Sequence, residues 1–398
     1  MKQDKSSGRR RFLKSSLLGI SGTLASGKLF ALYGPATLES GKEKKVIKRK
    51  LGNTGIELPV VSMGVMRADN PNIVKAALKS GIVHLDTAHG YQRGKNEIML
   101  GELLKDYPRD SFVISTKIKP GNNQPASSAT EAFLKDLDIS LQRLQMDYVD
   151  IVYVHGVGSR EEVLSEPVLE ALKTAKAQGK VKHVGLSTHS KEPEVIQAAI
   201  DSNFYEVVLT AINFKQDHYP QIKEKIAAAA AKGIGIVAMK TMAGAFIDKE
   251  RTLPINCKAA LKWVLQDPNV HTAIPGITSF EMLEDNISVM ENLEFTEQEM
   301  KDLDAARLQA GMYCNNCQTC LGQCKKHLPV NEIMRAYMYT YGYNHLEKAY
   351  TLLTDYNIAE NPCGNCDDCT VNCIKGFDVA NRIADVTRLR SLPQDFII

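Results

Sequence analysis

The fold is decided by the stretch Gly81-Ile-Val-His-Leu-Asp-Thr-Ala-His-Gly-Tyr-Gln-Arg-Gly-Lys-Asn-Glu97. It opens as a short apolar run, 82–85, that reads as a buried strand. It ends in a polar loop carrying Asp86 and Tyr91, and a helical pattern starts near Asn96. A carboxylate at the end of a buried strand needs a partner, because an unpaired buried charge is very costly. Working outward, the run 112–117 is apolar and stops at Lys117, and 149–155 is apolar and stops at His155. Asp86 and Tyr91, Lys117, and His155 therefore come from three successive strand ends. A parallel barrel collects catalytic side chains at such ends.

The same alternation runs from 59 to about 275. Strands are expected at 60–64, 82–85, 112–116, 149–154, 181–187, 206–212, 234–240 and 271–274, with helical patterns between them. Eight such units argue for an α/β fold, a (β/α)8 TIM barrel. The alternative is a doubly wound sheet, but no Gly-rich dinucleotide fingerprint follows the first strand. Two alternating runs around Gly52-Asn-Thr-Gly55 predict a β-hairpin ahead of the barrel. Capping-box patterns at Thr278-x-x-Glu281 and Thr296-x-x-Glu299 open two more helices.

Asp86, Tyr91, Lys117 and His155, in this order and with the run D-T-A-x-x-Y-x-x-x-x-N-E, resemble the catalytic tetrad of the aldo-keto reductases. The chemistry agrees with the resemblance. Carbonyl reduction needs a proton donor, and a phenol with a pKa near 10 is poorly matched to neutral pH. An ammonium beside it stabilises phenolate, a carboxylate fixes the ammonium, and a histidine orients the carbonyl. Tyr91 is thus expected as general acid, Lys117 as its tuner, Asp86 as the anchor of Lys117, and His155 as the substrate's orienting group. His84, inside the strand, reads as a structural histidine.

The resemblance implies a nicotinamide cofactor, NADP or NAD. Ser187 and Thr188 stand where the family holds the carboxamide, with Thr188 in place of an asparagine, and Asn213 matches the next contact. Lys240 occupies the end of the seventh barrel strand, where the family places a stacking tyrosine. Gly276, Thr278 and Asn286 fall in the adenosine-phosphate clamp. Gly276 and Met282 replace its usual lysine and arginine, which leaves no charge-assisted fork for a 2′-phosphate.

The 398 residues carry nine cysteines. Cys314, Cys317, Cys320 and Cys324 form C-x2-C-x2-C-x3-C, and Cys363, Cys366, Cys369 and Cys373 repeat it. The runs resemble bacterial ferredoxins, in which the fourth cysteine of each run serves the other cluster. That implies one [4Fe–4S] cluster on Cys314, Cys317, Cys320 and Cys373, and a second on Cys363, Cys366, Cys369 and Cys324. Disulfides and zinc are the alternatives. Cys257 reads as core. The tyrosine-rich stretch 337–356 reads as an amphipathic helical insert packing on the barrel, with an electron relay as the alternative.

Residues 1–45 hold ten Lys/Arg against three Asp/Glu, so the rest of the chain is net acidic and nucleic acid is not expected as a partner. Arg9-Arg10 followed by Phe12-Leu13-Lys14 and a weakly apolar segment resembles a twin-arginine export signal, which implies a periplasmic or cell-envelope location. The alternative is a disordered basic tail. No stable membrane span is expected beyond that signal. Three segments result: signal and linker (1–45), barrel (46–308) and a small, mostly helical ferredoxin-like Fe-S domain (309–398). The expected function is a carbonyl–alcohol oxidoreductase acting on a small molecule and coupled through two clusters to a redox partner. The alternative is an electron-transfer protein whose barrel is a silent scaffold.

Overall fold

The computed structural model describes residues 46–398 except 121–125, 245, 248–251, 309–312, 315, 365, 367 and 398. The segment 1–45, expected to hold a twin-arginine signal and a linker, thus lies outside the described residues. The described residues form one compact unit.

Strands β1 (Lys48–Lys50) and β2 (Glu57–Pro59) pair antiparallel as the expected hairpin. Eight parallel strands follow: β3 (Met63–Gly64), β4 (His84–Asp86), β5 (Val113–Ile118), β6 (Val149–Val154), β7 (Val181–Thr188), β8 (Val207–Ala211), β9 (Gly235–Met239) and β10 (Thr272–Ala273). They are hydrogen-bonded in sequence order from β3 to β10. Closure comes from the Ser62 N–H donating to the Ala273 carbonyl (2.8 Å) and the Gly64 N–H donating to that of Pro275 (3.0 Å). The fold is a closed (β/α)8 barrel with a helix after nearly every strand.

Side chains alternate across each strand. On β6, Ile151 and Tyr153 fill the barrel, while Val152 and Val154 face the helices. On β8, Val207 and Leu209 point in and Val208 points out. Leu51 and Leu58 of the hairpin segment plug the barrel's lower end. Tyr153 fits because its neighbour on β7 is Gly185, where a Cβ would stand 2.7 Å from the tyrosine ring.

Past residue 308 the described residues contain helices and no strand. Helices Val330–Tyr341, Leu346–Asp355 and Val379–Thr387 enclose their own apolar core, built on Ile333, Tyr337, Leu353 and Ile383. The tyrosine-rich stretch is helical, in two helices separated by residues 342–345, where Asn344 takes a left-handed φ of 50°. Among the described residues, no helix is long and apolar enough to cross a membrane.

The loop after β4 is backbone-strained. Gln92 and Arg93 take left-handed φ values of 49° and 53°, and Gly94 follows at 86°. A Cβ on Gly94 would meet the Arg143 guanidinium at 2.3 Å, and Arg143 is itself bonded to Glu97 and to the His89 carbonyl. Gly94→Ala is therefore expected to cost about 1–3 kcal/mol. Chemical denaturation checks this, and an unchanged midpoint would show that the loop yields freely.

Candidate active site

Asp86 ends β4, and Lys117 lies one residue from the end of the neighbouring β5, two positions past Ser115, the register partner of Asp86. Both side chains are 2% exposed. Lys117 Nζ donates to Asp86 Oδ2 at 2.5 Å and to the Thr87 carbonyl at 2.6 Å. It reaches Tyr91 Oη at 3.4 Å. Tyr91 sits edge-on to His155, with ring centroids 6.0 Å apart. All four tetrad residues line one cavity of about 410 Å³ at the C-terminal ends of the strands. That volume suits a small-molecule site.

The electrostatics refine the expectation. Burial pushes the Tyr91 phenol above its ordinary pKa, and the nearby Lys117 charge only partly opposes this. The sequence reading has the ammonium lowering this pKa. The enclosed position reverses the net direction, because desolvation penalises phenolate more than one shared ammonium repays. Tyr91 is thus a held proton. Burial would lower Lys117, but Asp86 and Tyr91 outweigh it and its pKa is raised, so it stays charged. Burial, then the charges of Lys117, Lys348, Lys119 and Arg335, hold His155 well below 6.5. It is a neutral imidazole, able to donate one N–H.

Sequence reading missed the supports of this constellation. Ser115, two residues before Lys117 and on the same face of β5, donates to Asp86 Oδ1 at 2.7 Å. His84 is structural as expected, bridging Ser62 (3.1 Å) and Ser115 (3.0 Å). The second half of the motif works behind the site. Thr87 donates to Asn96 Oδ1 at 2.6 Å, Asn96 donates to the Val65 carbonyl at 2.8 Å, and Thr116 donates to Glu97 at 2.7 Å.

The expected cofactor residues divide. Ser187, Lys240, Gly276 and Thr278 line the catalytic cavity. Thr188 does not; its hydroxyl donates to the Ser190 carbonyl at 2.9 Å and closes a turn. Asn213 lines a smaller adjoining cavity with Lys240, His189 and Cys314, and its Nδ2 donates to the Lys240 carbonyl at 3.2 Å. Burial, then Arg335, brings the Lys240 pKa down to about 7. Asn286 is buried, donates to the Met282 carbonyl at 2.7 Å, and leaves its Oδ1 without a partner among the described residues. Open space lies over Gly276. An orphaned acceptor on Asn286, which itself does not line the cavity, an uncrowded Gly276, and a cavity joining Gly276 and Thr278 to the tetrad fit an extended nicotinamide dinucleotide.

The C-terminal segment builds one wall of the site, which sequence reading did not foresee. Tyr339, Gly342, Tyr343 and Lys348 all line the catalytic cavity. Arg335 donates to His189 Nδ1 at 3.0 Å, Asn316 Nδ2 donates to the His189 carbonyl at 2.9 Å, and Arg93 pairs with Glu347 at 2.7 Å. Nothing in the local pattern signals these contacts, since they join residues far apart in the chain.

The cysteines fall into two neighbourhoods. Cys314 is influenced by Cys317, Cys320 and Cys373, and burial first, then these neighbours, push its thiol up to about 12. Cys363 is influenced by Cys369, Cys324 and Cys366, and its pKa is likewise raised, chiefly by burial. None of the nine cysteines forms a disulfide. Among the described residues, no three His, Cys, Asp or Glu side chains converge closely enough to hold a single metal ion.

Comparison with known proteins agrees with this geometry. The aldo/keto reductase family model matches residues 61–259 and 257–308, and the chain belongs to that family. It is an oxidoreductase. L-Galactose dehydrogenase of Arabidopsis thaliana is 25% identical over 291 residues, covering 63% of this chain and 90% of the relative. L-Glyceraldehyde 3-phosphate reductase of Escherichia coli K12 is 26% identical over 321 residues, covering 64% and 91%. The holo form of an aldo-keto reductase from Bacillus halodurans superposes with a TM-score of 0.54 at 22% identity, covering 69% of this chain and all of that one. The family match ends at residue 308.

Proposed function

We propose that this protein interconverts a carbonyl and an alcohol with a bound nicotinamide cofactor, exchanges electrons through two [4Fe–4S] clusters, and is exported by the twin-arginine route. The buried Asp86–Lys117–Tyr91 chain at the cavity floor carries the catalytic part. A bound nicotinamide supplies hydride-transfer chemistry. Tyr91 holds the proton at Oη and gives it to the carbonyl oxygen, and Lys117 stabilises the phenolate that remains. Asp86 and Ser115 keep the ammonium charged and fixed. Neutral His155 donates an N–H to the same oxygen, favouring charge as it develops. The roof of C-terminal helices narrows access for water, which strengthens each of these interactions.

The cluster reading is supported by the spacing and by the thiol neighbourhoods, in which Cys373 sits with the first run and Cys324 with the second. A cubane gives each thiolate its own iron, so its four ligands need not converge as on one ion. The thiols of Cys314 and Cys363 have raised pKa values, so a cationic core is what would hold them as thiolates. Cys314 also borders the cavity that Asn213 and Lys240 line. The closeness of Cys314 to those two residues supports shared electrons over a silent scaffold.

Natively exported protein, purified anaerobically and gel-filtered, should retain nucleotide and hold about eight iron and eight sulfide per chain. Added substrate should change the cluster absorbance. Zinc without sulfide would remove the electron-transfer reading. Clusters that never respond to substrate would make them structural.

A further inference from the structure

The catalytic cavity holds a cation that its chemistry does not use. Its lining includes Arg67, Lys117, Lys240 and Lys348, against one carboxylate, Asp86. Asp86 is engaged by Lys117. Lys240, at the end of β9, belongs to the side of Asn213 and the cofactor residues. Lys348 does not. Arg67 follows β3, and Lys348 comes from the roof helix Leu346–Asp355. Both act on His345, and Lys348 also depresses the basicity of His155. Lys348 therefore stands in the neighbourhood of the catalytic histidine.

Lys348 is short of a counter-ion. The carboxylates nearest in charge to it are Asp355 and Glu347. Asp355 faces Lys119 at 3.5 Å, and Glu347 is bonded to Arg93 at 2.7 Å. Among the described residues, the ammonium makes no hydrogen bond or ion pair of its own; its backbone N–H alone is engaged, with His345. Burial accordingly lowers its pKa. A half-buried ammonium facing a ligand cavity without a partner is costly unless the ligand supplies one.

We propose that the substrate carries an anionic oxygen group, a carboxylate or a phosphate, held by Lys348 while its carbonyl or carbinol carbon lies at Tyr91 and His155. This rests on the carbonyl–alcohol reading above and names the substrate class for it. The two tyrosines of the roof, Tyr339 and Tyr343, line the same region and offer hydroxyls to the rest of a polar substrate. A neutral analogue would leave Lys348 unpaired, and a site built for a polar partner rejects ligands that lack it.

The test uses two matched pairs on the full-length holoprotein: D-glucuronate with D-glucose, and D-glyceraldehyde 3-phosphate with D-glyceraldehyde. In at least one pair the anionic member should be favoured in kcat/KM by about 10-fold or more, the scale of a charge-assisted hydrogen bond. The pair that responds identifies carboxylate or phosphate. Lys348→Met should erase that preference, chiefly through KM, and Lys348→Arg should keep most of it. Calorimetric titration of the anionic compounds should show the same loss of affinity in Lys348→Met. Equal turnover of both members of each pair, or an equal loss for both in Lys348→Met, overturns the proposal. If no pair is turned over, the carbonyl–alcohol reading fails separately. Calorimetry then still decides: anion binding weakened by Lys348→Met supports the site, and binding that is absent or indifferent to the change overturns it.

Discussion

Tyr91→Phe is expected to bind nicotinamide as tightly as the unaltered protein and to reduce carbonyls at least about 10²-fold more slowly, the scale of lost general acid catalysis. The change removes one oxygen and little else. Lys117 keeps Asp86 at 2.5 Å and the Thr87 carbonyl at 2.6 Å, and loses only the long contact at 3.4 Å. The ring can stay edge-on to His155. Burial already favours the protonated phenol, so the variant lacks the proton and not a charge on which the fold depends. Lys117→Met would be a poorer probe, because it strands a buried carboxylate and is expected to cost several kcal/mol of stability. Steady-state kinetics with cofactor titration decide. Wild-type turnover in Tyr91→Phe would remove Tyr91 as the acid.

Cys324→Ser is expected to halve the iron and sulfide content, from about eight to about four per chain, on the two-cubane reading. The cluster lost should be that of Cys363, Cys366 and Cys369, although Cys324 lies in the other run. Double variants read the ligation directly. Cys324→Ser with Cys363→Ser should cost no more iron than either change alone. Cys324→Ser with Cys314→Ser should remove nearly all of it. The opposite pattern would mean that each run holds its own cluster. The thiol neighbourhoods favour the crossed arrangement, since Cys363 stands near Cys324 and Cys314 near Cys373.

Much of the barrel is legible in the chain because its signals are local. The β6 bounds at 149–154 are the expected ones, since an unbroken apolar run between polar ends fixes them. β3 and β10 are shorter than expected, two residues each, because the barrel closes there through single bridges rather than a long ladder. The tetrad is legible for a similar reason: each member ends or follows an apolar run, and parallel strands in register bring such ends together. Thr188 shows where the pattern fails. Its position matches the carboxamide-binding pair, yet a hydroxyl can bond its own turn, and here it does.

The sequence by itself determined where most strands run, the four candidate site residues at their ends and the cysteine spacing, because each is marked by a local pattern of residue types. Only the tertiary structure decided what roofs the site. Arg335 meets His189 across 146 residues, and Lys348 reaches a cavity whose floor is laid down at Asp86. The direction of the Tyr91 pKa belongs to the same class. It depends on how completely distant helices exclude water from the phenol, and no local pattern encodes that enclosure.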